Sequence, residues 1–179
     1  MSPTQNHISA EQKESLHSFL RNLKIFSVFS DDDIYDLIER GRLQNFKKSS
    51  SIVVEGENSQ GLNVIISGKV SVYKADPESD QLIRLAHLDT GAIFGELSLI
   101  SKSPRSATVI AESPVDIFDL DDNAFNAFLD AGGPPRQLGF FRNCSIDLAD
   151  RFREQNEDYL NTQRLLWKKA FTKERTAAS

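Results

Sequence analysis

The chain is poor in the residues that cross-link, ligate metals or span membranes. Among 179 residues there are one cysteine, one tryptophan and three histidines. The lone Cys144 excludes an internal disulfide and favours a reducing, cytoplasmic location. The histidines are scattered along the chain, without a cysteine or carboxylate at metal-ligand spacing, so no metal site is predicted.

Several functional signatures are also missing. No apolar run approaches the roughly 20 residues of a membrane span, and the polar first residues lack the apolar core of a signal peptide. Neither a P-loop motif nor a Gly-x-Ser-x-Gly motif occurs, so recognition without turnover is predicted rather than an enzyme. The net charge of −5 argues against general DNA binding, but it is compatible with a small anion held in a local positive pocket.

Helices are predicted at both ends of the chain. Residues 1–8 read as a disordered lead, and residues 9–42 as N-terminal helices that begin at the capping residues Ser9 and Ser30. A further helix is expected over residues 121–131. The sequence Gly132-Gly133-Pro134-Pro135 then predicts a linker before a C-terminal helix over residues 136–173.

Short strands are predicted between these helices, over residues 43–120. Six apolar or alternating runs are separated by glycine or polar turns, at 52–54, 63–66, 70–73, 82–85, 106–111 and 115–118. Many short, evenly spaced strands favour a jelly-roll or a barrel, in which sheet edges are removed or protected. The chain is therefore expected to be an α+β protein.

The most informative stretch is residues 91–109. A glycine-punctuated turn enters a short helix that carries Glu96, and Arg105 precedes a β-branched strand. Arginine is a permanently charged, bidentate partner for phosphate, and a carboxylate can accept a hydrogen bond from a sugar hydroxyl. This pairing predicts a ligand with one anionic phosphate beside a ribose.

Two sequence motifs carry a family resemblance. Phe94-Gly95-Glu96-Leu97-Ser98-Leu99 and Pro104-Arg105-Ser106-Ala107-Thr108-Val109 resemble the phosphate-binding cassette of the cyclic nucleotide-binding domain family. The resemblance runs from about Leu23 to Leu129. It implies an eight-stranded jelly-roll barrel flanked by N-terminal helices and by C-terminal helices that act as a lid.

The resemblance also implies roles for individual residues. Arg105 would bind the exocyclic oxygens of a cyclic phosphate, and Glu96 would accept the ribose 2′-hydroxyl. The rest of the phosphate site would be formed by Phe94, Gly95, Leu97, Ser98, Ser106 and Ala107. The base would contact Val72, Leu85 and Ala86.

The chain departs from the family pattern at two positions. Ser49 stands where a glycine is usual, and Asn63 stands where an aromatic residue is usual. Both positions are expected to belong to barrel packing and turns rather than to the ligand pocket.

The function implied is that of a sensor for cAMP, or alternatively cGMP, with no metal or other cofactor. Binding would shift the C-terminal helix and signal to a protein partner, and the same helix could pack on its own domain or form a homodimer. The alternatives are a ligand-free interaction module, a regulatory piece of a larger protein, a cupin-like metal enzyme and a DNA-binding regulator. The acidic segment 147–158 and the lack of a basic helix-turn-helix disfavour the last of these.

Overall fold

The computed structural model describes residues 8–58, 61–79 and 81–177. Apart from the buried Ile8, the expected disordered lead lies outside these residues. The chain divides into two compact units, residues 1–140 and residues 141–179. The helices and strands of the first unit position all the candidate site residues.

The N-terminal helices begin where their capping residues predict. Helix α1 (Ala10–Arg21) starts after Ser9, whose side chain forms a capping box with Gln12. A 3₁₀ turn (Lys24–Phe26) leads to α2 (Asp31–Arg40), which Ser30 and Asp33 cap in the same way. These reciprocal bonds satisfy backbone N–H groups that a helix start would otherwise leave without partners.

The described residues form eight strands in two antiparallel sheets of four. The first sheet has the order β1–β8–β3–β6 and the second has the order β2–β7–β4–β5. The strands are β1 (Arg42–Phe46), β2 (Ser51–Val53), β3 (Gly61–Ser67), β4 (Lys69–Ala75), β5 (Leu82–Asp89), β6 (Ile93–Phe94), β7 (Thr108–Ala111) and β8 (Val115–Asp121).

The prediction of a closed barrel is wrong. Among the described residues, each strand pairs only with strands of its own sheet, and no strand pair joins the two sheets. The two sheets instead share one apolar core, to which both contribute side chains. Its buried members are Val53, Ile65, Val70, Phe94, Val109, Ala111, Val115 and Ile117. Strands β1 and β6 lie outside the six runs that the sequence pattern identified.

Three helices complete the fold. Helix α3 (Glu96–Ser101) follows β6, and α4 (Asp122–Ala131) follows β8 with Asp121 as its N-cap. Helix α5 (Gly133–Ala177) begins three residues earlier than expected, so Pro134 and Pro135 lie in its first turn. Proline is tolerated there because the N–H groups of a first turn have no partner within the helix.

An aromatic cluster packs the helices of the first unit together. The rings of Phe29 and Phe128 meet edge to face with centroids 5.0 Å apart, and Phe125 meets Phe140 in the same way at 4.8 Å. The Arg136 guanidinium lies 4.4 Å above the Phe128 ring and donates to the Phe128 carbonyl at 2.6 Å. The start of α5 is thereby held against α4.

Candidate functional site

Gly95 joins β6 to α3 and has a left-handed backbone, with φ of +91°. A Cβ at this position would lie 2.3 Å from Nη1 of Arg105 and 2.4 Å from the Gly61 carbonyl oxygen. Both distances are far below van der Waals contact, and left-handed φ is itself unfavourable for residues with a Cβ. Glycine at this position therefore allows the Arg105 guanidinium to lie directly against the backbone.

Arg105 is held through its backbone as well as its side chain. Its N–H donates to the Glu57 carbonyl, and the Gly56 N–H donates to the Arg105 carbonyl, both at 2.9 Å. Its Nη1 donates to the Gly61 carbonyl at 3.1 Å, and the residue is 7% exposed. The guanidinium is thus held in place by the protein's own backbone, and a group held in this way reduces the ordering cost of any binding in which it takes part.

The electrostatics of Arg105 follow from its burial. Burial lowers the pKa of the guanidinium from its usual value, while the nearby Asp119 and Glu57 carboxylates oppose that shift. The Glu96 carboxylate acts in the same direction as those two. The predicted phosphate-binding cation and the predicted ribose-binding acid are therefore close enough to interact.

Glu96 is the first residue of α3 and is 4% exposed. The next residue, Leu97, is 47% exposed, and Ser98 lies in the same helix, although its side chain is outside the described part of the structure. Phe94 is buried in the core between the sheets. The structure therefore brings Gly95, Glu96 and Arg105 together and leaves Leu97 on the surface.

Ser106 and Ala107 follow Arg105 in the chain. Ser106 is exposed, and Ala107 is half-buried. Lys74 on β4 donates to the Ser106 carbonyl at 2.9 Å and also binds the Glu55 carboxylate. The sequence pattern did not identify this contact, because nothing local distinguishes Lys74 from any other charged residue at a strand end.

The predicted base-contacting residues do not share one environment. Val72 and Ala86 are directly paired across β4 and β5, and Val72 packs against the apolar core. Between Ala86 and Arg84 the strand register shifts, and Leu85 occupies that irregularity with 51% exposure. The sequence does not reveal this bulge, which directs Leu85 out of the core.

Asn63, which was expected in barrel packing, is buried beside Gly95. It is 5% exposed, and it pairs with Phe94 across β3 and β6, next to Gly95. Its Nδ2 lies 3.2 Å from the point that a Cβ of Gly95 would occupy. A polar residue on the core side of a strand, two residues before the buried Ile65, was the available signal in the sequence.

Two features are absent from the described ranges. No helix there is both long and apolar enough to span a membrane. Across the same residues, no three histidine, cysteine or acidic side chains are grouped as a metal site would require.

Comparison with known proteins points to one family. A family model described as the cyclic nucleotide-binding domain matches residues 43–131. The cAMP-dependent protein kinase regulatory subunit of Candida albicans is 26% identical over 166 residues, which cover 90% of this chain and 35% of that protein. Human cGMP-dependent protein kinase 2 is 31% identical over 114 residues, which cover 63% of this chain and 15% of the kinase.

A solved structure extends the similarity to most of the chain. The crystal structure of a cyclic nucleotide-binding domain from Methylobacillus flagellatus KT is 25% identical, with a TM-score of 0.74. The match covers 90% of this chain and 88% of that one, whereas the chain spans only about a third of the length of the fungal relative. Residues 43–131 of this chain belong to the cyclic nucleotide-binding domain family.

Proposed function

We propose that this chain is a regulatory sensor that binds a 3′,5′-cyclic nucleotide, with cAMP as the preferred ligand. Arg105 binds the cyclic phosphate, and Glu96 accepts the ribose 2′-hydroxyl. The observation that carries the proposal is the pairing of a buried guanidinium with a buried carboxylate on either side of Gly95. An arginine and an acid are the complementary partners for a phosphate and a sugar hydroxyl.

Binding without turnover fits the site. The proposed ligand contacts supply charge and hydrogen bonds, and they include no nucleophile paired with a base. The relatives whose names mention cAMP and cGMP are a kinase regulatory subunit and a kinase. We therefore assign the chain a cytoplasmic regulatory role, with a protein such as a kinase subunit as the partner.

Signalling would follow from a shift between arrangements of the helix that begins at Gly133. That glycine has a φ of +66°, and among the described residues no atom lies within 4 Å of the position that a Cβ would occupy, so there is open space beside this residue. A nucleotide moves such an equilibrium only by the difference between its affinities for the two arrangements. A homodimer through the same helix is a further arrangement that the ligand could favour.

Titration calorimetry with cAMP and cGMP tests the proposal directly. Wild-type protein should bind cAMP more tightly than cGMP, and Arg105→Ala should weaken binding by about tenfold to a hundredfold, since a hydrogen bond to a charged group contributes about 1.5–3 kcal/mol. Arg40→Ala is the matched control, because Arg40 pairs with Asp36 on α2. Absence of heat with both nucleotides would favour a ligand-free interaction module.

A further inference from the structure

Asn63 carries a buried hydrogen-bond donor without a partner. The residue is 5% exposed, and its Nδ2 makes no hydrogen bond with any of the residues that the structure describes. Buried polar groups are almost always satisfied, so an exception needs a physical reason. A leucine of similar shape would fill this place without leaving a donor unsatisfied.

The donor lies beside Gly95, as does the cation of the proposed site. The position that a Cβ of Gly95 would occupy lies 2.3 Å from Nη1 of Arg105 and 3.2 Å from Nδ2 of Asn63. Two nitrogens that both carry hydrogens therefore converge on one small region. Two donors cannot satisfy each other. Nη1 of Arg105 donates to the Gly61 carbonyl, whose oxygen lies 2.4 Å from the same position, whereas Nδ2 of Asn63 needs an acceptor of its own.

The nearest protein carboxylate in register is already engaged. Asp119 lies directly opposite Asn63 on β8, but it accepts hydrogen bonds from Arg42 at 2.7 Å and from Gln44 at 2.9 Å. The Gly61 carbonyl likewise accepts from Arg105. Neither of these neighbouring acceptors bonds Nδ2 of Asn63 in the part of the chain that the structure describes, so this donor is available to an acceptor from outside the protein.

We propose that Asn63 is a ligand-contacting residue whose Nδ2 donates a hydrogen bond to an exocyclic oxygen of the cyclic phosphate. This inference rests on the proposed function, because it adds a second donor to the phosphate that Arg105 binds. A phosphate oxygen can accept several hydrogen bonds at once, and its negative charge strengthens each of them. Binding of the phosphate thus completes the hydrogen bonding of the amide.

Calorimetry with three ligands tests this assignment: cAMP and the Rp and Sp diastereomers of its phosphorothioate, in each of which sulfur replaces one exocyclic oxygen. Asn63→Leu keeps the side-chain shape and should weaken cAMP binding about tenfold. For one diastereomer, Asn63→Leu should weaken binding by the same factor as for cAMP. For the other, whose sulfur faces residue 63, the substitution should hardly change the affinity. Asn45→Ala, on strand β1 of the same sheet, should leave all three affinities unchanged, since Asn45 binds Asp116 instead.

The readouts separate a ligand contact from a packing role. Without nucleotide, Asn63→Leu should melt no lower than wild type, because the substitution removes an unsatisfied donor. If leucine does not fit, Asn63→Ala gives the same comparison with a smaller side chain. Equal weakening of all three ligands, or no weakening of any, would overturn the inference. A wild-type protein that binds no cyclic nucleotide would instead overturn the proposed function, and this inference with it.

Discussion

The Lys74 ammonium donates a 2.9 Å hydrogen bond to the carbonyl of Ser106, the residue directly after Arg105. Lys74 also pairs with Glu55, whose backbone N–H donates to Thr108 at 3.0 Å. The segment that follows Arg105 is therefore attached to β4 through Ser106 and to Glu55, two residues after β2, through Thr108. This relationship gives Lys74 a positioning role that the sequence did not indicate.

Lys74→Met should weaken cAMP binding by about threefold to tenfold, because the Ser106 carbonyl loses its partner while Arg105 stays in place. The melting temperature should hardly change, since ion pairs as exposed as Lys74–Glu55 contribute about 0–1 kcal/mol. Lys69→Met is the matched control on the same strand, where Lys69 pairs with Asp89 at 3.2 Å. Equal weakening by both variants would mean that net charge, and not the position of Ser106, is responsible.

Gly95→Ala should abolish measurable cAMP binding, because the new Cβ would displace the Arg105 guanidinium. The left-handed backbone adds a conformational cost of about 1–2 kcal/mol, so the melting temperature should fall as well. Calorimetry and thermal melts on the same samples measure both effects.

Gly91→Ala separates these two contributions. Gly91 also has a positive φ, of +89°, but a Cβ there would meet only Cδ2 of Leu23, at an ordinary contact distance of 3.5 Å. The variant should therefore lose stability and keep most of its affinity for cAMP. Retention of full affinity by Gly95→Ala would show that Arg105 can move aside without loss, contrary to the proposed role of the glycine.

Glu96→Gln should reduce discrimination at the ribose. Wild-type protein should prefer cAMP over 2′-deoxy-cAMP by about tenfold or more, and the variant should bind the two nucleotides with similar affinity. The reason is that the oxygen of a neutral amide is a weaker acceptor for the hydrogen bond from the 2′-hydroxyl than a carboxylate oxygen is. Glu57→Gln is the control, because it also removes one negative charge near Arg105. It should change the affinities for cAMP and for 2′-deoxy-cAMP by the same factor.

Features that depend on neighbours in the chain were predictable from the sequence. The capping boxes at Ser9 and Ser30 are confirmed because their partners lie three residues away. Ser49, standing where a glycine is usual, has a φ of +67°. The backbone conformation that glycine favours is therefore kept by a residue for which it is less favourable.

Features that depend on distant pairing were not predictable. The division of the strands into two sheets, the two-residue strand β6 and the bulge that exposes Leu85 all depend on register between remote segments. The sequence alone places Asn63 in barrel packing, because its neighbour across the sheet, next to Gly95, is not adjacent in the chain. The proposed roles of Glu96 and Arg105 come from motif chemistry, whereas the contacts of Asn63 and Lys74 required coordinates.

Asp33 should make stability depend on acid pH. Burial alone would raise the pKa of its carboxyl, but hydrogen bonds from the Ser30 backbone and side chain and the charge of Arg136 lower it below the ordinary value of 3.8. A lowered pKa means that the unfolded chain is protonated first. The stabilising contribution is therefore complete above about pH 4 and is lost as the pH falls through the folded-state pKa.

Asp33→Asn should lower the free energy of unfolding at pH 7 by about 1 kcal/mol or more, because the Arg136 guanidinium loses its ionised partner while both side chains remain mostly buried. The loss should shrink as the pH falls below the ordinary carboxyl pKa of 3.8, because the wild-type protein then loses the same contribution. Urea denaturation at several pH values between 7 and 3 measures this difference. Asp36→Asn, which breaks the more exposed pair with Arg40 on the same helix, should cost less at pH 7. A difference between Asp33→Asn and wild type that stays constant down to pH 3 would show that packing, and not the charge of Asp33, carries the effect.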